Sequence, residues 1–435
     1  MTQLQLREHA EVQLGQHTDL KDLLLNLIAT TGGTGQQLDD VRLMGMEYDA
    51  PYGRFVMSYY VGTDWIDKRK GISMVVRPKI ESLDFQEMLM KCFSCPKASE
   101  NLDEVLYIRT EDEPIEVDAR DFQLEPLLIV FFLNLMQKIV RKGLRHDYIM
   151  REERLDGKIK GKVLMNEYAR KGIAKGRKDQ VNCRFQEYAV DCLDNRVLKT
   201  ALLLCRDIIN RNRIGLSHQI DELDNMYNNA IVAFEQVEAG VSLQDLHRVH
   251  VHPMYKDYRA IMPLAKMIIR KQGYCVGEEY DEEVNRTQKF PPFIINMPIL
   301  FERYVYSLLV ERYGDNNIGY QVATHGNIMD FTKQDEHMIM DTKYKPQWED
   351  GVDHDNARQL SGYARHLRLR EKLEVYDSDY ICPCVIIYPD VGGVEDFKDA
   401  PDKWLDEDNS PQDPNIHVIP QYLKFYKVAI KLPTR

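Results

Sequence analysis

The sequence predicts a multidomain α+β protein. A β-rich N-terminal domain is expected over 1–120, a mainly helical, basic middle region over 121–290, and an α/β domain over 291–435. Three observations predict this. The 435 residues exceed one compact core at about 150 residues per domain. Hydrophobic periodicity changes from strand-like to helical and then to a mixture. Charge is uneven: the formal net charge is −12, yet one central stretch is strongly basic.

In the first region, RFVMSYYVGT (Arg54 to Thr63) and GISMVVRPKI (Gly71 to Ile80) are rich in β-branched and aromatic residues. A polar segment separates them, so an antiparallel pair is expected. The glycines of Thr30 to Gln37 mark a loop. Asp84 to Cys92 reads as a short helix with Asp84 as N-cap and Glu87 three residues on.

In the second region, Leu124 to Leu144 is an apolar-rich helix. Pro126 is tolerable in its first turn, and Lys142, Gly143 and Arg145 supply the chemistry of a C-terminus. Asp191 to Arg211, Asp221 to Val237 and Tyr258 to Arg270 repeat the helical spacing, with Pro263 as a candidate kink. From Arg141 to Asp179 lysine and arginine outnumber the acids, with Tyr148 and Tyr168 interleaved. Arg141, Arg145, Lys158, Lys160 and Lys162 stand for two readings: a phosphate-contacting surface for DNA, or a solvated charged hairpin.

After Pro291 and Pro292, Met297 to Tyr313 reads as a helix with Pro298 in its first turn. Two short strands follow, then a helix around Asp355 to Leu373, a strand Tyr380 to Pro389, an acidic loop Asp390 to Asp413, and two final strands.

Net acidity argues against a chain that coats nucleic acid everywhere, while a local basic face remains compatible. The eight cysteines include one C-x-x-C at Cys92 and Cys95, with no second pair at zinc spacing, so packed thiols are expected. The N-terminus lacks a signal-peptide pattern, and no run approaches ~20 apolar residues. A cytoplasmic protein without a membrane segment is expected. No phosphate-binding G-x-x-x-x-G-K-[ST] loop is present, and neither is H-E-x-x-H, G-x-S-x-G or G-x-G-x-x-G.

The chemistry concentrates between His325 and Trp348. Two apolar strands flank the polar turn Lys333 to Glu336. A hairpin centred between Asp335 and Glu336 places Asp330 opposite Asp341, with Cβ atoms ~5 Å apart. Facing carboxylates repel unless a cation sits between them, and Mg²⁺ is commonly held by one or two carboxylates with water and phosphate oxygens. Lys343, two residues beyond Asp341, points to the same face. The trio Asp330, Asp341 and Lys343 is equipment for phosphodiester hydrolysis. Two strand-end aspartates near a surface lysine are the plainer reading. Glu302, among apolar residues of the preceding helix, either points at the metal or faces solvent. Gln359 and Tyr363 share a helix face with Asp355, and order the site, contact the DNA backbone, or simply form the polar face of a helix. Lys345 is a further candidate DNA contact.

At these residues the sequence resembles the McrC family, the nuclease subunits of McrBC-type restriction systems. MDF at Asp330 and MDTKYK at Asp341 and Lys343 resemble the PD-(D/E)xK pattern, and Gln359 with Tyr363 is similar to the family's Q-x-x-x-Y. Met329 stands where that motif often has proline, and Asp341 where many relatives have glutamate; neither removes a metal ligand. KGLRHDYIMREERLDGKIKGKV, Cys183 to Leu202 and Arg77 to Leu89 resemble upstream family segments, whereas the first ~40 residues do not.

The resemblance implies a PD-(D/E)xK endonuclease domain using Mg²⁺ or Mn²⁺. It implies an McrB-like AAA+ GTPase ring as partner, docked by the N-terminal region, with GTP bound only by that partner. It also implies double-stranded, modified DNA as substrate and a prokaryotic antiphage setting. Two rivals stand beside it: a regulator of the ring that does not cut, and a stand-alone nuclease for repair or mobile elements.

Overall fold

The computed structural model describes residues 2–12, 18–31, 38, 40–80, 83–100, 104–110, 112–118, 124–211, 220–249, 251, 253–275, 287–324, 327–345 and 353–434. The chain forms two compact units, one of residues 1–123 with 282–435 and the other of 124–281. The sequence predicts separate N- and C-terminal regions; the structure joins them in one unit.

A five-stranded sheet makes the join. Its order is Thr2–Arg7, Ile72–Arg77, Tyr60–Asp67, Phe293–Asn296, Leu106–Ile108. The expected antiparallel pair is present, with Thr63 opposite Val75. Arg54–Val56 splits off to pair with Glu47–Asp49 instead. Phe293–Asn296, just after the double proline, bonds to Tyr60–Asp67 on one side and to Leu106–Ile108 on the other. Phe293, Ile294 and Ile295 are buried, as befits an apolar run in a central strand.

That strand runs directly into the helix Met297–Tyr313. Asn296 caps it by accepting from Ile299 N, and Pro298 occupies the first turn as expected. The helix packs on Phe85–Ser94, which starts as predicted with Glu87 N donating to Asp84 Oδ1. Buried Arg303 donates to Ala98 O, Glu100 O and Glu104 Oε2, tying the long helix to the N-terminal region.

The second sheet of this unit has six strands, ordered Ile318–Thr324, Asn327–Lys333, Met338–Thr342, Cys384–Val394, Phe425–Ile430, Ile416–Val418. The first three form an antiparallel meander, and the next two continue in parallel. The crossover from Met338–Thr342 to Cys384–Val394 carries two helices, His354–Tyr363 and Leu367–Lys372, where sequence predicts one. Cys384–Val394 also runs past the predicted end at Pro389, through a β-bulge, into the expected acidic loop.

The hairpin turn between Asn327–Lys333 and Met338–Thr342 is built on a buried cation. Lys333 is 0% exposed. Its ammonium donates to Asp335 Oδ1 at 2.7 Å, Glu336 Oε2 at 2.6 Å and Asp402 O at 2.9 Å, and lies 4.7 Å from the Tyr313 ring centre. Glu336 Oε1 accepts from Leu405 N. What reads as a polar turn in sequence is an ion network around a buried lysine, with Glu336 buried and Asp335 at the surface.

The second unit is mainly helical, as expected. Its long helices are Leu124–Lys142, Leu193–Arg211, Ile220–Ala233 and Lys256–Cys275; the last continues through Pro263. Gly143 follows the first at φ 90°, a conformation glycine adopts without strain. The basic stretch is partly strand: Asp147–Asp156 pairs antiparallel with Gln180–Ala189, whose other neighbour is Lys162–Val163. Cys92, Cys95, Cys183, Cys192, Cys205, Cys382 and Cys384 are free and buried, in keeping with packed thiols. Among the described residues no helix is long and apolar enough to cross a membrane.

Removing one partner of a buried ion pair strands the other, at a cost of about 3–5 kcal/mol. Lys333→Met, which keeps the apolar stem, is expected to lower the unfolding free energy of the full chain by about that amount in urea titrations. Lys333→Met combined with Glu336→Gln is expected to recover part of the loss. A single-variant cost below about 1 kcal/mol, the ceiling for most surface pairs, would show that the network does not hold the turn.

Candidate active site

The hairpin register decides the site. Phe331 pairs with Met340, Thr332 with Ile339 and Lys333 with Met338. Each pair is symmetric about the midpoint of Asp335 and Glu336. The same register carried one residue further sets Asp330 opposite Asp341, as the sequence predicts. On the other neighbour, pairing skips the position of Gln321, which faces Asp330 in register and has φ 46°. A non-glycine residue there is strained, and such strain collects at functional sites. The ladder is therefore irregular on both sides of Asp330.

Asp330 replaces the missing main-chain bonds. Its Oδ2 accepts from Thr342 N at 2.7 Å and from Thr342 Oγ1 at 2.6 Å. Lys343 Nζ lies 2.6 Å from Asp341 Oδ2. That oxygen is buried and charge-paired, but no hydrogen bond of good geometry reaches it. Lys343 N donates to Ile387 O at 2.9 Å, so the lysine is delivered from the end of the parallel pairing.

Charge at the site does not balance. Burial pushes the Asp341 carboxyl up and Asp330 adds repulsion, against the pull of Lys343. Burial also raises Asp330, against its bonds from Thr342. Half-buried Glu302 is raised by burial and then by Asp330, while Gln321 Nε2 donates to its Oε1 at 3.1 Å. Burial draws the Lys343 ammonium down, but Asp341 and Asp330 together leave it raised. Three interacting carboxylates thus face one lysine, with a smaller pull on Glu302 from Arg303, which is also bonded to Ala98, Glu100 and Glu104. A divalent cation fits this deficit and the orphaned oxygen of Asp341. Among the described residues, however, no three His, Cys, Asp or Glu side chains gather into a ready metal cage. The donor set that fits is the pair Asp330 and Asp341, with Glu302 beside Asp330.

The other predicted residues divide. Tyr363 is close enough to act electrostatically on Lys343, and Gln359 Nε2 donates to its hydroxyl at 3.0 Å. Asp355 is exposed and pairs with Arg358. Lys345 pairs with Asp353, the N-cap of His354–Tyr363, at 3.3 Å. In the second unit, Arg141, Lys158 and Lys162 are exposed. Lys160 is partly engaged, lying 4.0 Å from the Phe185 ring centre and 3.4 Å from Glu187. Arg145 departs from the expected surface: its side chain is 13% exposed and its guanidinium is held by Asp194 and Asp147. A fork already filled by two carboxylates is not a free phosphate contact. Thr342 and Gln321 have no sequence signature, because their bonds to Asp330 and Glu302 depend on the register of strands and helix rather than on a local motif.

The class that fold and site define is a multidomain α+β protein with an acidic, lysine-flanked candidate centre on a mixed sheet. A family model described as "McrBC 5-methylcytosine restriction system component" matches residues 57–376. The chain belongs to that family. No curated protein matches. Two similar solved structures are from Thermococcus gammatolerans. One, a half-complex of McrB AAA+ hexamers with bound McrC, is 16% identical, with 99% of this chain and 94% of that chain covered and a TM-score of 0.40. The other, a McrBC complex, is 19% identical, with 71% and 87% covered and a TM-score of 0.30.

The raised carboxyls have a consequence for stability. A folded state that binds protons more tightly than the unfolded chain has this stabilisation in full below the ordinary carboxylate range, about pH 4. It loses the stabilisation as pH rises toward the raised folded values. Melting temperature without metal is expected to fall between about pH 5 and about pH 8. Asp341→Asn should flatten this fall, and Mn²⁺ should reverse it in wild type but not in the variant. An unchanged pH slope in Asp341→Asn would show that the carboxylates do not repel.

Proposed function

We propose that this chain is the DNA-cutting subunit of a McrBC-type restriction system, a Mg²⁺-dependent endodeoxyribonuclease of the PD-(D/E)xK kind. The observation that carries the reading is the hairpin register, which opposes Asp330 and Asp341 and leaves Lys343 against Asp341. Family membership over residues 57–376 supports the system.

Asp330 and Asp341 would hold Mg²⁺ or Mn²⁺, with Glu302 supporting from the side of Asp330. When bound, the ion supplies Lewis-acid polarisation of a phosphoryl oxygen and a more acidic water. Thr342 fixes one oxygen of Asp330, so that carboxylate presents its other oxygen in a set direction. Lys343 offers its ammonium to the negative charge that develops on phosphorus-bound oxygen. Tyr363, hydrogen-bonded by Gln359, acts electrostatically on that ammonium. The exposed cations Arg141, Lys158 and Lys162 of the second unit, with Lys345 of the first, would follow the DNA backbone.

The chain lacks a phosphate-binding loop, so the motor comes from a partner. We assign that role to an McrB-like AAA+ GTPase ring, with the N-terminal β-rich region as the docking part. Double-stranded modified DNA is the substrate.

The test combines the chain with an McrB-like AAA+ GTPase from the same organism, GTP, Mg²⁺ and a 5-methylcytosine plasmid. Wild type is expected to linearise the plasmid. Asp341→Ala and Lys343→Ala are each expected to cut about 100-fold more slowly or worse, while stimulation of GTP hydrolysis persists. Wild-type cutting by Asp341→Ala would remove the site assignment. Efficient cutting by the isolated chain would identify a stand-alone nuclease instead.

A further inference from the structure

Tyr344 follows Lys343 directly, yet none of the chemistry above uses it. It lies two residues past the end of the strand Met338–Thr342. It is buried, 5.8 Å from the Phe301 ring centre, and reaches the N-terminal sheet. Its hydroxyl donates to Glu8 Oε1 at 2.9 Å. Lys79 N donates to the same oxygen at 3.0 Å, and Lys79 Nζ donates to Tyr344 O at 3.2 Å. That ammonium also sits 4.3 Å from the Tyr344 ring centre and 4.9 Å from that of Tyr59.

Such a cluster is costly. Glu8 is 2% exposed, and its Oε2 is buried without a hydrogen-bond partner, as is the Tyr59 hydroxyl. Burial raises the Glu8 carboxyl and draws the Lys79 ammonium down to about 8. An apolar contact would join these segments at less cost.

What the cluster holds is a sharp bend. Lys345 N donates back to Lys343 O at 2.6 Å, so the chain turns at Tyr344. Before the bend stand Asp341 and Lys343. After it, Lys345 pairs with the N-cap of the helix that carries Gln359 and Tyr363. The side chain and the carbonyl of the pivot are both gripped from the N-terminal sheet.

We propose that Glu8 and Lys79 are positioning residues for the candidate nuclease centre, acting through Tyr344: they clamp the bend that aims Lys343, so that cutting requires the N-terminal sheet to be in place. The proposal rests on the nuclease reading above. Misplacement of a reacting group by about 1 Å can cost on the order of 100-fold in rate. Loss of the clamp therefore acts on turnover more than on binding.

The decisive variant is Tyr344→Phe, which removes only the hydroxyl. In the full complex, plasmid cleavage is expected to slow roughly 10-fold or more, with plasmid affinity unchanged. Mn²⁺ binding by the full chain, followed by calorimetry, is expected to stay within about 2-fold of wild type, whereas Asp341→Ala abolishes it. Glu8→Ala should match Tyr344→Phe. The double variant should be no slower than either single, because both break one unit. Glu8→Gln keeps the acceptor oxygen and should recover most of the rate lost in Glu8→Ala. If wild type cuts and binds Mn²⁺ but Tyr344→Phe cuts equally fast, the clamp is structural only and the proposal falls. The same follows if the two single losses multiply in the double variant. If wild type neither cuts nor binds Mn²⁺, the nuclease reading itself fails.

Discussion

Everything proposed for this chain depends on the register of one hairpin, and that register depends on a buried lysine. Lys333 neutralises Asp335 and Glu336 and anchors the turn to Asp402, while Glu336 takes the Leu405 amide. A strand shifted by one residue turns every side chain to the opposite face. A slip here would send Asp341 and Lys343 away from Asp330. Met329, Phe331, Met338, Ile339 and Met340 are all buried, and Met338 to Met340 bury apolar side chains on both faces, so they resist such a slip weakly. The polar network supplies the specificity that the greasy strands lack.

A second dependence runs through the N-terminal sheet. Phe293–Asn296 is a strand of that sheet and also the lead-in to the helix Met297–Tyr313. That helix carries Glu302 toward the hairpin, and Arg303 holds residues 98–104. The acidic centre and the N-terminal sheet are thus braced by one continuous segment. The Glu8, Lys79 and Tyr344 cluster adds a second brace.

Much of this was legible from the residues. The antiparallel pair before Arg77, the N-cap at Asp84, Pro298 in the first helical turn and the opposition of Asp330 to Asp341 follow local rules of periodicity, capping and symmetry. The joining of residues 1–123 with 282–435 was not legible, because a four-residue apolar strand has no mark of its distant partner. Lys333 looked like a turn residue, because burial of a lysine is decided by Asp402, Tyr313 and Leu405, far along the chain. Arg145 looked like a surface cation, but Asp194 and Asp147 claim it. The resemblance to McrC proteins, carried by MDF and MDTKYK, agrees with the family match over 57–376.

The position of Phe293–Asn296 between Tyr60–Asp67 and Leu106–Ile108 also sets an order of events during synthesis. The flanking strands leave the ribosome long before the segment that belongs between them. Until then the nascent sheet has two open edges, the kind of surface that recruits other chains. The helical unit, residues 124–281, is emitted in that interval. Completion of the first sheet therefore waits for the polypeptide that leads into the helix Met297–Tyr313. A chain truncated before that point keeps its edges exposed, so partial products are marked for aggregation or proteolysis.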